Sequence, residues 1–308
     1  MTHPLRIGTR GSPLALAQAH ETRDRLVAAH PHLAAPGAIE IVVLKTTGDR
    51  ILDRTLSEAG GKGLFTKELE EALFDGRADL AVHSMKDVPT WLPDGLEIST
   101  LLPREDPRDA FFSRGGHKLS DLPPGAIVGT AGLRRQAQVL ELRPDLKIVP
   151  LRGNVQTRLA KLDAGEVDAT LLALAGLRRL GLTDRITQLL EPEEMLPAVA
   201  QGAIGIEIRA DDDATRALLA PLHCVETATR VTAERALLAM LDGSCRTPIA
   251  AMAVLDGERL SLRAKVLSPD GRQVFRAERN GLAVDAAALG SDAGAEIKAV
   301  LPPGFFLP

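Results

Sequence analysis

Apolar runs and helical periodicity alternate along the first two-thirds of the chain. Continuous apolar runs predict strands, and apolar residues that recur every three or four positions predict helices. The predicted strands are Leu5–Gly8, Ile39–Leu44, Leu80–His83, Leu96–Leu102, Ala126–Gly129, Lys147–Leu151 and Ala169–Leu174. The predicted helices are Pro13–Ala29 (capped by Ser12), Thr66–Phe74, Leu133–Leu142, Val155–Leu162 and Gly176–Leu180. This alternation predicts two α/β units, each a mostly parallel sheet with helices on both faces.

The last third of the chain changes character. It has a long amphipathic helix at Val225–Leu241, strands at Ile249–Val254, Arg259–Leu267 and Gln273–Arg279, and a helix near Ala286–Val300. This order predicts a small α+β domain with an antiparallel sheet. Before it, Gly205–Ile208 is expected to return as a strand to the first sheet. The expected domains are residues 1–102 with 203–220, residues 103–202, and residues 221–308.

The composition excludes several classes of protein. The chain is 45% hydrophobic and 25% charged, as ordinary globular proteins are. Its net charge of −4 and its lack of tyrosine argue against a nucleic-acid surface. No apolar run approaches the roughly 20 residues that cross a bilayer. We therefore expect a cytoplasmic protein without a membrane span.

Cysteine and histidine usage is sparse. The chain has two cysteines, Cys224 and Cys245, and seven histidines. In a reducing compartment a structural disulfide between the two cysteines is not expected. The histidines show none of the spacings typical of metal ligands, so the sequence predicts no metal site.

Arginine dominates the basic residues. Of 37 basic residues only nine are lysines. A genome rich in G and C would explain this excess, and so would a protein that binds many carboxylates or phosphates through bidentate contacts. Arginines follow predicted strands at four places: Arg10, Arg134 with Arg135, Arg152 with Arg158, and Arg178 with Arg179. That clustering favours a ligand with several carboxylates.

The pair Arg134 and Arg135 opens a predicted helix. Positive charge at a helix N-terminus is unfavourable because the helix dipole prefers an anion there. The pair is therefore expected to face an anionic ligand, at a turn whose backbone N–H groups also favour an anion. The alternative is that both side chains lie on a solvated face.

Three further segments carry candidate chemistry. Asp87 follows a predicted strand, where open α/β sheets bind ligands, and is a candidate acid–base or charge-stabilising group; a solvated ion pair with Lys86 is the alternative. The glycine-rich segment 60–63 lacks P-loop spacing and predicts a flexible lid. Cys245, beside Arg246 on a predicted loop, is a candidate nucleophile or attachment point, or else a structural residue.

Nine segments in one order resemble the porphobilinogen deaminase (hydroxymethylbilane synthase) family. They are RIGTRGSPLALAQAH, GGKGLFTKELE, DLAVHSMKDVP, REDPRDAF, LRRQAQ, LRGNVQTRL, LPAVAQGAIGIE, RVTAERA and GSCRTPI. The resemblance covers nearly the whole chain. It implies an α/β fold of two domains like those of type II periplasmic binding proteins, followed by a small C-terminal α+β domain.

The resemblance also implies an activity. Members of the family condense four porphobilinogen molecules head to tail, lose one ammonia at each addition and hydrolyse the finished chain from the enzyme. The primer is a dipyrromethane cofactor, held by a thioether at the cysteine that matches Cys245. Every pyrrole carries an acetate and a propionate, which agrees with the arginine-rich pattern. The expected partner is porphobilinogen, with no nucleic acid and no membrane, and the protein is expected to be a monomer.

Site residues carry over from the family one position at a time. Asp87 is expected to hold pyrrole N–H groups and to stabilise the positive azafulvene that forms when ammonia leaves. The residues expected to bind carboxylates are Arg10, Ser12, Lys86, Thr130, Arg134, Arg135, Arg152, Arg158 and Arg179. Weaker contacts are expected at Ser84, Gly132 and Gln201, and Lys62 and Phe65 would belong to a mobile loop.

Two departures from the family pattern stand out. Ala131 and Gly132 replace a common Ser-Ser pair, which removes two hydroxyl contacts, and Ala200 replaces a usual glycine. A different class of function is also open, since a two-lobed fold can serve a non-catalytic sensor of a polycarboxylate. A sensor needs neither Asp87 nor Cys245, and these two residues therefore favour the enzyme.

Overall fold

The computed structural model describes residues 4–50, 63–241 and 247–305. These residues form two compact units. The first holds residues 4–50, 63–105 and 202–228, and the second holds residues 106–201, 229–241 and 247–305. The chain therefore crosses from one unit to the other at 105–106, at 201–202 and at 228–229. The division into three domains stays a prediction.

Three sheets and their helices build the described part of the chain. The strands are β1 (Leu5–Arg10), β2 (Ile39–Leu44), β3 (Leu80–Ser84), β4 (Leu96–Leu101), β5 (Asp109–Ser113), β6 (Ile127–Gly129), β7 (Lys147–Val149), β8 (Ala169–Ala173), β9 (Gln188–Leu190), β10 (Ile204–Arg209), β11 (Ile249–Asp256), β12 (Arg259–Leu267) and β13 (Val274–Leu282). The helices are α1 (Pro13–Ala29), α2 (Thr47–Arg50), α3 (Lys67–Phe74), α4 (Leu133–Leu142), α5 (Val155–Asp163), α6 (Leu174–Arg179), α7 (Asp213–Leu219), α8 (Val225–Met240) and α9 (Ala286–Val300).

The first unit is built on a five-stranded sheet in the order β2-β1-β3-β10-β4. Alternate residues of β3 pack on opposite faces, as the period of two in a strand requires. Leu80 and Val82 belong to the core cluster that contains Leu26 of α1. Ala81 belongs to the cluster that contains Leu69 of α3. Helices therefore cover both faces, and β3 lies in the interior of the sheet.

The second unit contains a sheet of the same pattern, in the order β7-β6-β8-β5-β9. Phe111 of β5 packs with Val139 of α4 on one face. Its neighbour Phe112 packs with Leu159 of α5 and Leu177 of α6 on the other. The N-terminal ends of α4 and α5 follow the carboxyl ends of the parallel strands β6 and β7, which places the segments that join them at one edge of this sheet.

Each five-stranded sheet is mostly parallel, as predicted, but contains one reversed strand that the sequence analysis did not foresee. In the first sheet β10 pairs antiparallel with both β3 and β4. In the second, β5 pairs antiparallel with both β8 and β9. β5 follows the crossing at 105–106 and β10 follows the crossing at 201–202. The segment after each of these crossings therefore supplies the reversed strand. Both sheets are therefore mixed.

The C-terminal part of the second unit is a three-stranded antiparallel sheet, β11-β12-β13, with α8 and α9. α9 approaches α8 closely at Gly290, where a Cβ would collide with the carbonyl oxygen of Ala233. A side chain at position 290 would force the two helices apart. The predicted α+β character of this region is confirmed.

Most predicted elements are present, and several match residue for residue. Leu133–Leu142, Arg259–Leu267 and Ala286–Val300 have the bounds that periodicity predicted. The sequence analysis missed β5, β9, α2 and α7, and it began α6 two residues late. α6 begins at Leu174 because the preceding strand ends at Ala173. No helix of the described ranges is long and apolar enough to cross a membrane.

Candidate active site

Asp87 lies on a single 3-10 turn, Met85–Asp87, that directly follows strand β3. The turn is anchored at its first residue, since the Met85 side chain is buried and its backbone N–H donates to the carbonyl of Ala203 at 3.0 Å. Lys86 and Asp87 are both half-buried. Lys86 and Asp87 are thus held on an anchored turn at the carboxyl end of an interior strand, where the sequence analysis placed them.

Two polar side chains of α1 and its cap, Gln18 and Ser12, lie in the same unit as Asp87. The buried Gln18 donates its side-chain amide to the hydroxyl of Ser84 at 2.9 Å. The hydroxyl of Ser12 accepts from the backbone N–H of Ala15 at 3.3 Å and caps α1, as predicted. Because that contact uses Ser12 as an acceptor, its O–H remains able to donate to a carboxylate. Gln18 was not predicted, and nothing in its local sequence marks it.

Arg10 and Phe65 are in contact within the first unit. The Arg10 guanidinium lies 4.1 Å from the centre of the Phe65 ring, a cation–π arrangement. Gly48 also lies against the ring, so closely that a Cβ at this position would collide with it. Lys62, the other residue assigned to a mobile loop, lies outside the described residues. The mobile loop stays a prediction.

The arginine pair at the start of α4 has an anion inside the protein. Arg134 Nη2 lies 2.7 Å from Asp109 Oδ2, and Arg135 Nη2 lies 2.8 Å from Asp109 Oδ1. Arg134 Nη1 also donates to the carbonyl of Leu196 at 2.7 Å. All three charged side chains are buried. A solvated face, the alternative considered for this pair, is therefore wrong, and a ligand role for the arginines has to be shared with Asp109.

Burial and the two guanidiniums act on Asp109 in opposite directions. Removal from water disfavours its carboxylate, but Arg134 and Arg135 favour it more strongly, and the pKa of Asp109 falls below its usual range. Gln201 adds to this, because its amide donates to Asp109 Oδ1 at 3.0 Å and to the carbonyl of Pro107 at 2.7 Å. Gln201, a predicted weak ligand contact, thus has partners within the protein.

The turn before α4 forms one internal hydrogen bond and gives the helix no side-chain cap. The hydroxyl of the buried Thr130 accepts from the N–H of Gly132 at 3.3 Å. Gly132 is the N-cap residue of α4 and has no side chain that could cap the helix. A Cβ at Gly132 would meet no atom closer than 4.0 Å, so the position has open space around it.

Arg152 and Arg158 flank the start of α5. Asn154 caps this helix by accepting from the N–H of Thr157 at 2.8 Å, as predicted. Arg158 Nε donates to the carbonyl of Gly153 at 2.9 Å. Arg152 Nη1 is buried and has no hydrogen-bond partner in the described part of the chain. A buried guanidinium N–H without an acceptor is costly, which makes Arg152 a strong candidate for an anionic ligand.

Arg178 and Arg179 are placed differently from the prediction. They were expected at a strand-to-helix junction, but they lie in the last turn of α6. The C-terminal end of a helix favours positive charge, and no external anion is needed to explain them there. Arg178 lies 3.6 Å from Asp106. The ligand role of Arg179 stays a prediction.

Models of one protein family match almost the whole chain. "Porphobilinogen deaminase, dipyromethane cofactor binding domain" matches residues 5–217, and "Porphobilinogen deaminase, C-terminal domain" matches residues 228–299. The chain belongs to the porphobilinogen deaminase family. It therefore has porphobilinogen deaminase activity, which serves tetrapyrrole biosynthesis, and it uses a dipyrromethane cofactor.

Curated relatives agree with this over nearly their full length. The porphobilinogen deaminase of Paracoccus denitrificans is 60% identical over 99% of this chain and 96% of its own. The chloroplastic porphobilinogen deaminase of Oryza sativa is 56% identical over 98% of this chain and 85% of its own.

Among solved structures, the chain is similar to an arginine-binding periplasmic protein of Salmonella typhimurium. The two are 13% identical over 72% of this chain and 92% of that protein, with a TM-score of 0.38.

The described residues fit a porphobilinogen deaminase cofactor that carries several carboxylates. The second unit has a buried guanidinium N–H without an acceptor at Arg152 and a helix start without a side-chain cap at Gly132. Both suit carboxylate oxygens. Among the described residues there is no group of His, Cys, Asp and Glu that could hold a metal. Cys245 lies outside the described residues.

Proposed function

We propose that this chain joins four porphobilinogen molecules head to tail on a dipyrromethane primer, loses one ammonia at each addition and releases hydroxymethylbilane by hydrolysis. The observation that carries this proposal is the 60% identity to the Paracoccus denitrificans enzyme over 99% of this chain. Fold alone would not suffice, because two-lobed α/β folds serve many functions.

Cys245 is the proposed point of attachment, through a thioether bond. When bound, the cofactor supplies the nucleophilic pyrrole carbon to which the first porphobilinogen is joined. The chain's own residues bind, orient and stabilise charge. The support for Cys245 is its place in the GSCRTPI segment, which matches the family pattern. In this proposal residues 1–102 with 203–220, 103–202 and 221–308 are the three domains, and Cys245 belongs to the third.

The acetate and propionate groups are bound by cationic side chains and by backbone N–H groups. Arg152 is the first choice, because its unpartnered Nη1 gains a hydrogen bond without breaking another. Each charge-assisted bond of this kind is worth about 1.5–3 kcal/mol. The other proposed carboxylate ligands are Arg10, Ser12, Lys86, Thr130, Arg134, Arg135, Arg158 and Arg179, with weaker contacts at Ser84, Gly132 and Gln201.

Arg152→Gln tests this assignment. It should raise the KM for porphobilinogen about ten- to a hundredfold, which corresponds to one lost charge-assisted hydrogen bond. Its free energy of unfolding should stay within about 0.5 kcal/mol of the parent. Arg272→Gln, at a side chain 86% exposed, is the control and should change neither quantity. A parental KM in Arg152→Gln would remove this residue from the site.

Asp87 is the proposed catalytic residue. An ionised carboxylate only accepts hydrogen bonds, and it can hold the N–H groups of the reacting pyrroles. The same negative charge stabilises the positive charge that develops on the substrate as ammonia leaves. The support is its position on an anchored turn at the end of an interior strand.

Asp87→Asn tests the catalytic role. The amide keeps the shape of the side chain but lacks its charge, and kcat should fall about 10²–10³-fold. Intact-protein mass should still show the bound cofactor. Asp94→Asn, at an exposed carboxylate before β4, should turn over normally. Turnover near that of the parent enzyme in Asp87→Asn would exclude Asp87 from the chemistry.

We also propose that the protein is a cytoplasmic monomer and that Lys62 and Phe65 belong to a mobile loop over the site. Its low cysteine content supports a reducing compartment. The mass of the purified protein in solution, measured by light scattering, tests the monomer.

A further inference from the structure

Ala200 has an unusual backbone conformation. Its φ is +58°, and in the described ranges it is the only residue other than glycine with a positive φ. A Cβ makes this left-handed region unfavourable, so the surrounding structure has to enforce it. Ala200 is fully buried and directly precedes Gln201. The conformation of residue 200 therefore sets the direction in which the chain enters position 201.

Glu234, on α8, is the residue that holds Ala200 in place. One oxygen of its carboxylate accepts from the backbone N–H of Ala200 at 2.7 Å. The other accepts from the N–H of Ala253 on β11 at 2.8 Å. The Glu234 side chain has no exposed surface. A buried carboxylate needs such donors, and here it ties the segment around Ala200 to both α8 and β11.

Buried contacts lead from Ala200 to the arginine pair. Next to Ala200, Gln201 donates to Asp109 Oδ1 at 3.0 Å. Asp109 in turn holds Arg134 at 2.7 Å and Arg135 at 2.8 Å. Each of these side chains is at least nine-tenths buried. A displacement at residue 200 would therefore shift the amide that orients the Asp109 carboxylate, and with it both guanidiniums.

We propose that Glu234 is a positioning residue for substrate binding: it enforces the left-handed conformation of Ala200 and so fixes Gln201, Asp109 and the arginine pair. The inference rests on the proposed carboxylate-binding role of Arg134 and Arg135. Glu234 itself touches neither substrate nor cofactor in this assignment. Its influence depends on residue 200 being a residue with a Cβ.

Glu234→Gln is the first variant to measure, as purified holoenzyme. Its side-chain amide offers only one acceptor oxygen, so either Ala200 or Ala253 loses its hydrogen bond. The KM for porphobilinogen should rise roughly ten- to a hundredfold, the range found when a residue that orients the ligands of a site is lost. The midpoint of chemical unfolding should fall as well. Glu258→Gln, at an exposed glutamate between β11 and β12, is the matched control and should change neither.

The deciding variant is Glu234→Gln combined with Ala200→Gly. Glycine adopts positive φ without strain, and residue 200 then no longer depends on Glu234. The KM of the double variant should return to within about twofold of Ala200→Gly alone. Its unfolding midpoint should recover only in part, because glycine at position 200 relieves the backbone strain but does not restore the hydrogen bond that Glu234→Gln removes. A purely structural role for Glu234 would move KM and stability together.

Three results would overturn the inference: an unchanged KM in Glu234→Gln, no recovery of KM in the double variant, or a double variant that does not fold. If Glu234→Gln alone fails to fold, the double variant carries the comparison. Failure of the proposed function looks different. In that case the parent protein itself would carry no adduct by intact mass and would not consume porphobilinogen.

Discussion

Purified Cys245→Ala protein should have the mass of the bare polypeptide and should not turn over porphobilinogen. Alanine has no sulfur with which to form the thioether, and the primer on which the product grows cannot be held. The parent protein should exceed its sequence mass by two deaminated porphobilinogen units. Intact-protein mass spectrometry reads both results directly. No other substitution proposed for this chain should have so complete an effect.

Cys224→Ala provides the control for this experiment. Cys224 is half-buried, and its contact with the carbonyl of Leu101 runs through its backbone N–H, which alanine retains. This variant should keep the added mass and the activity. A parent protein of bare mass that gains the adduct on incubation with porphobilinogen would be an apoprotein. A parent protein that never gains it, or an adduct that persists in Cys245→Ala, would contradict the assignment.

Asp109→Asn should lower the free energy of unfolding by about 3–5 kcal/mol at neutral pH, the usual cost of removing one partner from a buried ion pair. Two guanidiniums would remain buried beside a neutral amide. Denaturant unfolding measures the loss. Asp163→Asn is the control, because Asp163 pairs with Arg185 on the surface, where solvent screens the pair, and the free energy of unfolding should change little. Equal losses of unfolding free energy in both variants would show that burial of the arginine pair adds nothing to the cost of removing Asp109.

The same carboxylate predicts a dependence of stability on pH. The pKa of Asp109 is lowered in the folded protein from an ordinary value of 3.8. The unfolded state therefore takes up this proton at a higher pH than the folded state does. Asp109 stabilises the fold fully above about pH 4, and the contribution is lost as the pH falls further. Acid unfolding of Asp109→Asn should show a shallower slope in that range.

Periodicity predicted most of the elements because local patterns decide them. Leu133–Leu142 is amphipathic along its whole length, and its bounds were predicted residue for residue. β5 was missed, since its five residues follow a proline-containing segment and alternate in no recognisable way. The reversed direction of β5 and β10 could not be predicted, because pairing partners distant in sequence determine it.

In the candidate site too, local sequence predicted some features, and others depended on partners distant in the chain. The helix dipole predicted an anionic ligand for Arg134 and Arg135. The structure pairs both with the internal Asp109, and the ligand stays a prediction. Asp109 stands in the quoted REDPRDAF segment, and an acid at the start of an apolar strand was the available signal. The usual family glycine at position 200 was the available signal for the positive φ of Ala200. Its contact with Glu234 joins residues 34 positions apart and left no mark in the local sequence.

The position of β10 in the first sheet has a consequence for synthesis on the ribosome. β10 pairs between β3 and β4, yet it is translated after every strand of the second unit's five-stranded sheet. That second sheet is contiguous in the chain, from β5 to β9, and has all its strands while the N-terminal sheet still lacks an interior one. Domains of a nascent chain usually fold from the N-terminus onward. Here the sheet that is begun first is completed second.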